Sequence, residues 1–239
     1  MNKKDLNSNF TMFFFSDSHN MYRRIALTKA DYYVCTGDFS NQGSEKELIM
    51  FNTFAKEVLE QKMCKKFFLV PGNHDRMVDN DLSVAKALLS NLNLLIDETI
   101  NLNGLKVHGS PWSPTYGDWA FMKSEVELGN YWNMIPKDTN ILLTHCPAVG
   151  ILDRIETYPF NIGSKTLLQK LSGLPELKLH VFGHIHEGYG TYSKNGVLHI
   201  NAALPVTSPS FAIMNPVNPA YLVEIDPNLK KIVKCEQIF

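Results

Sequence analysis

The stretch Leu179–Gly190, LHVFGHIHEGYG, sets His184 and His186 one residue apart just beyond a short apolar run. Two imidazoles there, on a backbone that glycines allow to turn, can be aimed at one point, as metal ligands must be. A pair is not a site, but the chain offers more donors in the same kind of place. Ser16-Asp17-Ser18-His19 follows FTMFFF, and Gly37-Asp38 closely follows YYVC. Gly72-Asn73-His74-Asp75 follows KFFLVP, and His145 follows ILLT. Five of the eight histidines therefore sit just past an apolar, β-rich run. Imidazoles, carboxylates and one amide, with no thiolate, suit Mn²⁺, Fe or Zn²⁺ and are too nitrogen-rich for Ca²⁺. They are also too many for one tetrahedral ion. Two ions about 3.5–4 Å apart, sharing one carboxylate, would use them all.

Such a centre forms only if the strands bring their carboxyl ends to one crevice, as strands of open α/β sheets do. Apolar runs at Phe10–Phe15, Tyr32–Cys35, Lys66–Val70, Leu105–His108, Ile141–Thr144, Leu177–Phe182 and Val197–Ile200 read as strands. Asn195-Gly196 predicts a hairpin between Gly188–Ser193 and Val197–Ile200. Tyr221–Ile225 and Lys231–Cys235 read as two more strands joined across Asp226-Pro227-Asn228. Glu45–Gln61 carries Leu48, Phe51, Phe54, Ala55, Val58 and Leu59 at helical spacing, and Asp81–Ser90 also reads as helix. Early βα alternation followed by hairpins predicts a mixed α/β domain with helices outside its sheets.

The bulk numbers exclude several function classes. A net charge of −1 provides no field to draw long nucleic acid, and the pairs Lys3-Lys4, Lys65-Lys66 and Lys230-Lys231 form no basic track. No run approaches the roughly 18 apolar residues that span a bilayer, so no membrane role is expected. The apolar run near the start is short and ends at Asp17, unlike a secretory signal; residues 1–9 read as a flexible tail before one domain over 10–239. Cys35, Cys64, Cys146 and Cys235 form no CxxC pair and read as reduced thiols, which makes the cytoplasm the expected compartment. Nothing in the sequence speaks to oligomeric state.

In this order, DxH, GD, GNHD, H and GHxH resemble the motif set of the calcineurin-like metallophosphoesterases, over about Phe10 to Ile225. GDFSNQGSEKELIMFN, HGSPWSPTYGDWAF, YWNMIP, HVFGHIHEGYG and the late NPVNP are similar to one branch, the metallophosphoesterase-domain-containing proteins. That branch resembles class III cyclic nucleotide phosphodiesterases. The resemblance implies a four-layer α/β/β/α sandwich of two mixed β-sheets flanked by helices. It also implies that Asp17, His19 and His186 hold a first ion, that Asp38 bridges, and that Asn73, His145 and His184 complete the second position. His74 would face the phosphate, with Asp75 orienting its ring. Cys146-Pro147-Ala148 follows His145 where the branch often has Gly-Pro-Pro, which bears on loop shape rather than on metal chemistry.

The implied reaction is hydrolysis of a small phosphodiester, cyclic nucleotides foremost, by a hydroxide held between two divalent or mixed-valence ions. Manganese is the first expectation for the metal, with iron or zinc admissible. A phosphomonoesterase or nuclease could use the same core, and a scaffold protein could retain the fold without turnover. Outside the motifs the expectations are plainer. His108, His180 and His199 read as structural, Cys146 as inert, and Arg76 as an exposed arginine at a helix start. Trp112, Trp119 and Trp132 read as packing residues, Trp112 being the one whose loop could reach the cleft.

Overall fold

The computed structural model describes residues 8–205 and 217–239. The expected tail over residues 1–9 lies, except for its last two residues, outside the described residues. In chain order the strands are β1 Phe10–Phe15, β2 Tyr32–Cys35, β3 Lys66–Leu69, β4 Asn93–Leu94, β5 Glu98–Leu102, β6 Leu105–Ser110, β7 Ser113–Pro114 and β8 Met122–Lys123. They continue with β9 Ile141–Thr144, β10 Leu179–Phe182, β11 Gly190–Lys194, β12 Val197–Asn201, β13 Ala220–Asp226 and β14 Lys231–Ile238. The α-helices are α1 Glu45–Glu60, α2 Arg76–Asn80, α3 Leu82–Leu88, α4 Glu125–Asn133 and α5 Lys165–Ser172.

One mixed sheet runs β14-β13-β1-β2-β3-β4 and the other β11-β12-β10-β9-β6-β5, with β7–β8 a small separate ribbon. FTMFFF shows why a strand here has no polar face. Met12 and Phe14 point between the sheets, where they meet Val34, Val107, Leu143 and Val181. Phe13 and Phe15 point outward, into the cluster that holds Phe51, Phe54 and Val58 of α1. Both faces are covered, so the apolar run is continuous. The second sheet is covered in turn by α4 and α5, whose Leu128, Trp132 and Leu167 share a cluster with Leu142 and Phe182. The architecture is a mixed α/β fold of two large sheets flanked by helices.

Strands β1, β2 and β3 run parallel, as do β6, β9, β10 and β12, so each sheet delivers a set of carboxyl ends. The two sets are stitched together where Ser16 bridges Ala203 and its N–H donates to the Ala202 carbonyl at 2.8 Å. That seam lies at the first residue beyond β1, which places the candidate ligands of both sheets around one opening. Two expectations are refined. The helix expected over Asp81–Ser90 is α3, which Asp81 caps by accepting a hydrogen bond from the Val84 N–H, and the short α2 lies just before it. The Asn195-Gly196 turn joins β11 and β12, with φ of 52° and 77° at its two residues.

Candidate metal centre

Left-handed backbone concentrates where the strands end. Asp17, His19, Asn20, Asp38 and His184 all have positive φ, between 41° and 68°. Asp, Asn and His tolerate this region better than most residues, but each non-glycine there is strained and must be held by its surroundings. The turns re-aim side chains off the strand axis and into the opening.

The structure brings eight expected residues together. Asp17, His19 and His186 place one ligand atom each within 4.8 Å of one another, and so do Asp38, His145 and His184. His19, Asp38 and His74 form a third, overlapping group. Asn73 joins through its Oδ1, 2.9 Å from His145 Nε2. Each cluster draws residues from both sheets, and the His184 N–H donates to Asp17 at 2.9 Å and ties the two together.

Backbone carbonyls choose the ring faces. His145 Nδ1 lies 2.9 Å from the Thr36 carbonyl, His74 Nδ1 2.7 Å from that of Asn41, and His19 Nδ1 3.2 Å from that of Ser40. Each carbonyl takes the Nδ1 proton, which leaves Nε2 as the working atom. His19 Nε2 and His186 Nε2 then lie 3.4 Å apart and face a common space. A cation there would be reached by both rings and by Asp17. The donor set therefore fits divalent metal ions.

The charges agree. Burial alone would push the His145 imidazole down, but the Asp38 and Asp17 carboxylates outweigh it and raise it to about 9. His186 is likewise raised against burial by Asp17. His184, buried and beside His145, is lowered to about 3. Burial opposes ionisation of Asp38, yet the surrounding imidazoles hold its carboxyl well below the usual range. In the metal-free protein, positive imidazoles stand in for cations.

A pH prediction follows with its sign. His145 is raised above its ordinary 6.5, so its pairing stabilises the metal-free fold fully below that pH and is lost as pH rises through about 9. The melting temperature of metal-free protein is expected to fall across that window. Metal affinity is expected to rise across it, because binding must displace protons from His145 and His186. Thermal melts and calorimetry in two buffers of different ionisation enthalpy measure both effects.

Asp75 corrects one expectation. Its carboxylate does not orient the His74 ring. It accepts instead from the N–H groups of Asp38, Ser40 and Gly72 at 3.0, 3.2 and 2.8 Å, and from the Ser40 hydroxyl at 2.8 Å. Adjacent residues on this turn point different ways, so Asp75 binds the Asp38 loop to the GNHD loop while His74 leans outward. Burial and the Asp38 charge raise the Asp75 carboxyl to about 7.

The His74 ring is held by Asn41 and by Trp119, whose ring centroid is 4.2 Å away. Trp119 is thus the tryptophan at the site. Trp112 is not: its Nε1 donates to Asp97 at 2.7 Å and its ring packs on Tyr131 at 4.0 Å. Tyr116 also reaches the site, its ring 5.6 Å from that of His184. Arg76 is engaged rather than free, its guanidinium 4.6 Å over Trp119 and bonded to the Asp118 carbonyl. Thr36, Ser40, Asn41 and Tyr116 were not among the candidate residues, although Ser40, Asn41 and Tyr116 lie in stretches that carry the family resemblance.

The sequence model of the calcineurin-like phosphoesterases matches residues 11–188. The chain belongs to that family. This phosphoesterase is 29% identical to human metallophosphoesterase domain-containing protein 1 over 88% of its own length and 69% of the relative's. It is 33% identical to a UPF0046 protein of Caenorhabditis elegans over 79% of its length and 46% of that protein's. Among solved structures, one chain at 16% identity superposes with a TM-score of 0.63, covering 97% of this chain and 100% of that one. A phosphatase from Mycoplasma pneumoniae gives 0.52 at 12% identity, over 97% and 93%. At those identities the likeness shows the fold. Membership makes this calcineurin-like chain a metal-dependent phosphoester hydrolase with its candidate ligands at the sheet ends. Among the described residues no helix is long and apolar enough to cross a membrane.

Proposed function

We propose that the chain is a dinuclear metal-dependent phosphodiesterase for small substrates, with cyclic nucleotides the leading class. The observation that carries the dinuclear reading is Asp38, which groups with His19 on one side and with His145 and His184 on the other. No other carboxylate among the described groups reaches both, and a carboxylate has the two oxygens a bridge requires. Asp17, His19 and His186 would hold the first ion, and Asn73, His145 and His184 the second. Asn73 supplies an oxygen without adding a negative charge that would oppose an anionic substrate. Bound divalent ions supply Lewis acidity, acidifying water and drawing charge off the phosphoryl oxygens. Manganese suits this nitrogen–oxygen set, with iron or zinc as alternatives.

His74 stands at the mouth, its Nε2 4.0 Å from Asp38 Oδ2 and its Nδ1 proton fixed on Asn41. With the ring doubly protonated, Nδ1 keeps its proton on Asn41 and Nε2 is placed to give the other to the departing oxygen. His74→Ala is expected to lower kcat on 2′,3′- or 3′,5′-cyclic nucleotides by about 10²–10⁴-fold with metal content intact. On bis-p-nitrophenyl phosphate, whose phenolate departs unaided, the loss is expected to be much smaller. Equal losses on both substrates would contradict the proton-donor role.

The diester reading is tested by comparing bis-p-nitrophenyl phosphate with p-nitrophenyl phosphate after controlled Mn²⁺ loading, then across cyclic nucleotides. Faster turnover of the diester supports it, and faster turnover of the monoester overturns it. We infer that residues 10–239 act as one domain, because the facing sides of the two sheets share one core. Four free cysteines, three of them buried, support a reducing compartment, the cytoplasm.

A further inference from the structure

The segment between β7 and β8 arches over the candidate metal centre, and it is fixed at many points. Its ends pair as Ser113 with Met122 and Pro114 with Lys123. The Ala120 N–H donates to the Asn73 carbonyl at 3.1 Å, and the Phe121 N–H to Asp79 at 3.1 Å. Behind it, Trp112 and Ser110 are both bonded to the half-buried Asp97. The arch is therefore tied to the GNHD loop itself, and what it carries has a defined position over the site.

It carries two rings with different surroundings. Trp119 is half-buried, in contact with His74 and Arg76, and serves to position them. Tyr116 is 61% exposed. Its hydroxyl accepts from Asn73 Nδ2 at 3.3 Å and its ring stands beside His184, so it is anchored at the tip while most of the ring faces water. An anchored aromatic with open faces above a phosphate-binding centre is a ready stacking platform. Base–aromatic stacking is worth about tenfold or more in affinity and tolerates any base.

The side on which Tyr116 stands is informative. It borders Asn73 and His184, whereas His74 borders His19 and Trp119. A phosphodiester has two substituents. The one that departs must lie toward His74, which leaves the retained one toward Tyr116.

We propose that Tyr116 is a specificity-determining residue that stacks on a planar base or aryl ring of the ester substituent retained on phosphorus. The substrate class is then narrower than small phosphodiesters: it is nucleoside or aryl diesters over alkyl ones. This rests on the phosphodiesterase reading above, and the test separates the two.

Thymidine 5′-monophosphate p-nitrophenyl ester and methyl p-nitrophenyl phosphate share a leaving group and differ only in what is retained. The Mn²⁺-loaded protein is expected to prefer the thymidine ester. In Tyr116→Leu the ratio of kcat/KM for the thymidine ester to that for the methyl ester should fall about tenfold, carried by KM, while Tyr116→Phe keeps it. An unchanged ratio in the leucine variant overturns the proposal, and so does an equal fall in the phenylalanine variant, which would assign the effect to the Asn73 contact. If the wild-type protein hydrolyses neither ester, the phosphodiesterase reading fails, and calorimetry with thymidine 5′-monophosphate and methyl phosphate still decides Tyr116. Roughly tenfold weaker binding of the nucleotide alone in the leucine variant supports stacking; equal change in both ligands refutes it. Circular dichroism of the variants confirms that this exposed substitution leaves the fold in place.

Discussion

Asp38→Asn is expected to reduce phosphodiester turnover by a factor on the order of a thousand and to reduce bound metal from two ions per chain to one or fewer. The substitution preserves volume, so the fold is not the reason. Asp38 is buried, its Oδ1 accepts the His74 N–H at 2.7 Å, and its Oδ2 lies 3.4 Å from His145 Nε2. It is the charge around which both clusters are arranged. An amide keeps one oxygen and places an N–H₂ group where the other must face a cation or an imidazole. The same variant should return the His145 imidazole toward its ordinary range, since Asp38 is the foremost group raising it against burial. The fall in melting temperature of metal-free protein between pH 6.5 and about 9 should then flatten. Kinetics, metal analysis and pH-dependent melts test all three consequences. Turnover within tenfold of wild type would remove Asp38 from its central place.

Gly183→Ala is expected to have the largest structural effect for the smallest chemical change. A Cβ on Gly183 would collide with the Asp17 carboxylate and the Ser16 side chain at the seam of the two sheets. Neither side can retreat easily. Gly183 is held by its N–H to the His145 carbonyl at 3.0 Å, and Asp17 by the His184 N–H and by His186. Overpacking costs about 1–3 kcal/mol, and a broken buried hydrogen bond to a carboxylate adds about 1–3 kcal/mol. For a chain of this size that lowers the melting temperature by roughly 5–15 °C. The first ion position, which uses Asp17, should be lost along with it. A variant that melts within about 2 °C of wild type and still binds two ions would show that the seam is looser than these contacts indicate.

What could be read from the sequence follows the physics of each element. Strands buried on both faces leave continuous apolar runs, so FTMFFF, ILLT and LHVF were visible, and polar residues directly after them stood out as candidate ligands. Helix α1 was visible because five buried side chains recur on one face over sixteen residues. Helices α4 and α5 were not; they have nine and eight residues and few buried positions. A signal for α4 was present in Ser124 and Glu127, which form a reciprocal cap at its start.

Side-chain direction was less accessible. Asp75 is next to His74 in sequence, but its partners Asp38 and Ser40 are more than thirty residues away, and only the folded loops bring them close. Which tryptophan reaches the site depends in the same way on the path of the arch. Register explains the three remaining histidines: His108, Leu142, His180 and His199 fall in one cross-strand row of the second sheet. There His180 bonds to Thr144 at 2.9 Å and to His199 at 3.2 Å, away from the candidate ligands.

Anomalous diffraction at the manganese edge, on crystals of the Mn²⁺-loaded protein, tests the central claim most directly. Two ions should appear about 3.5–4 Å apart, one against Asp17, His19 and His186, the other against Asn73, His145 and His184, with Asp38 touching both. A single peak, or ions held by any other residues, would contradict it.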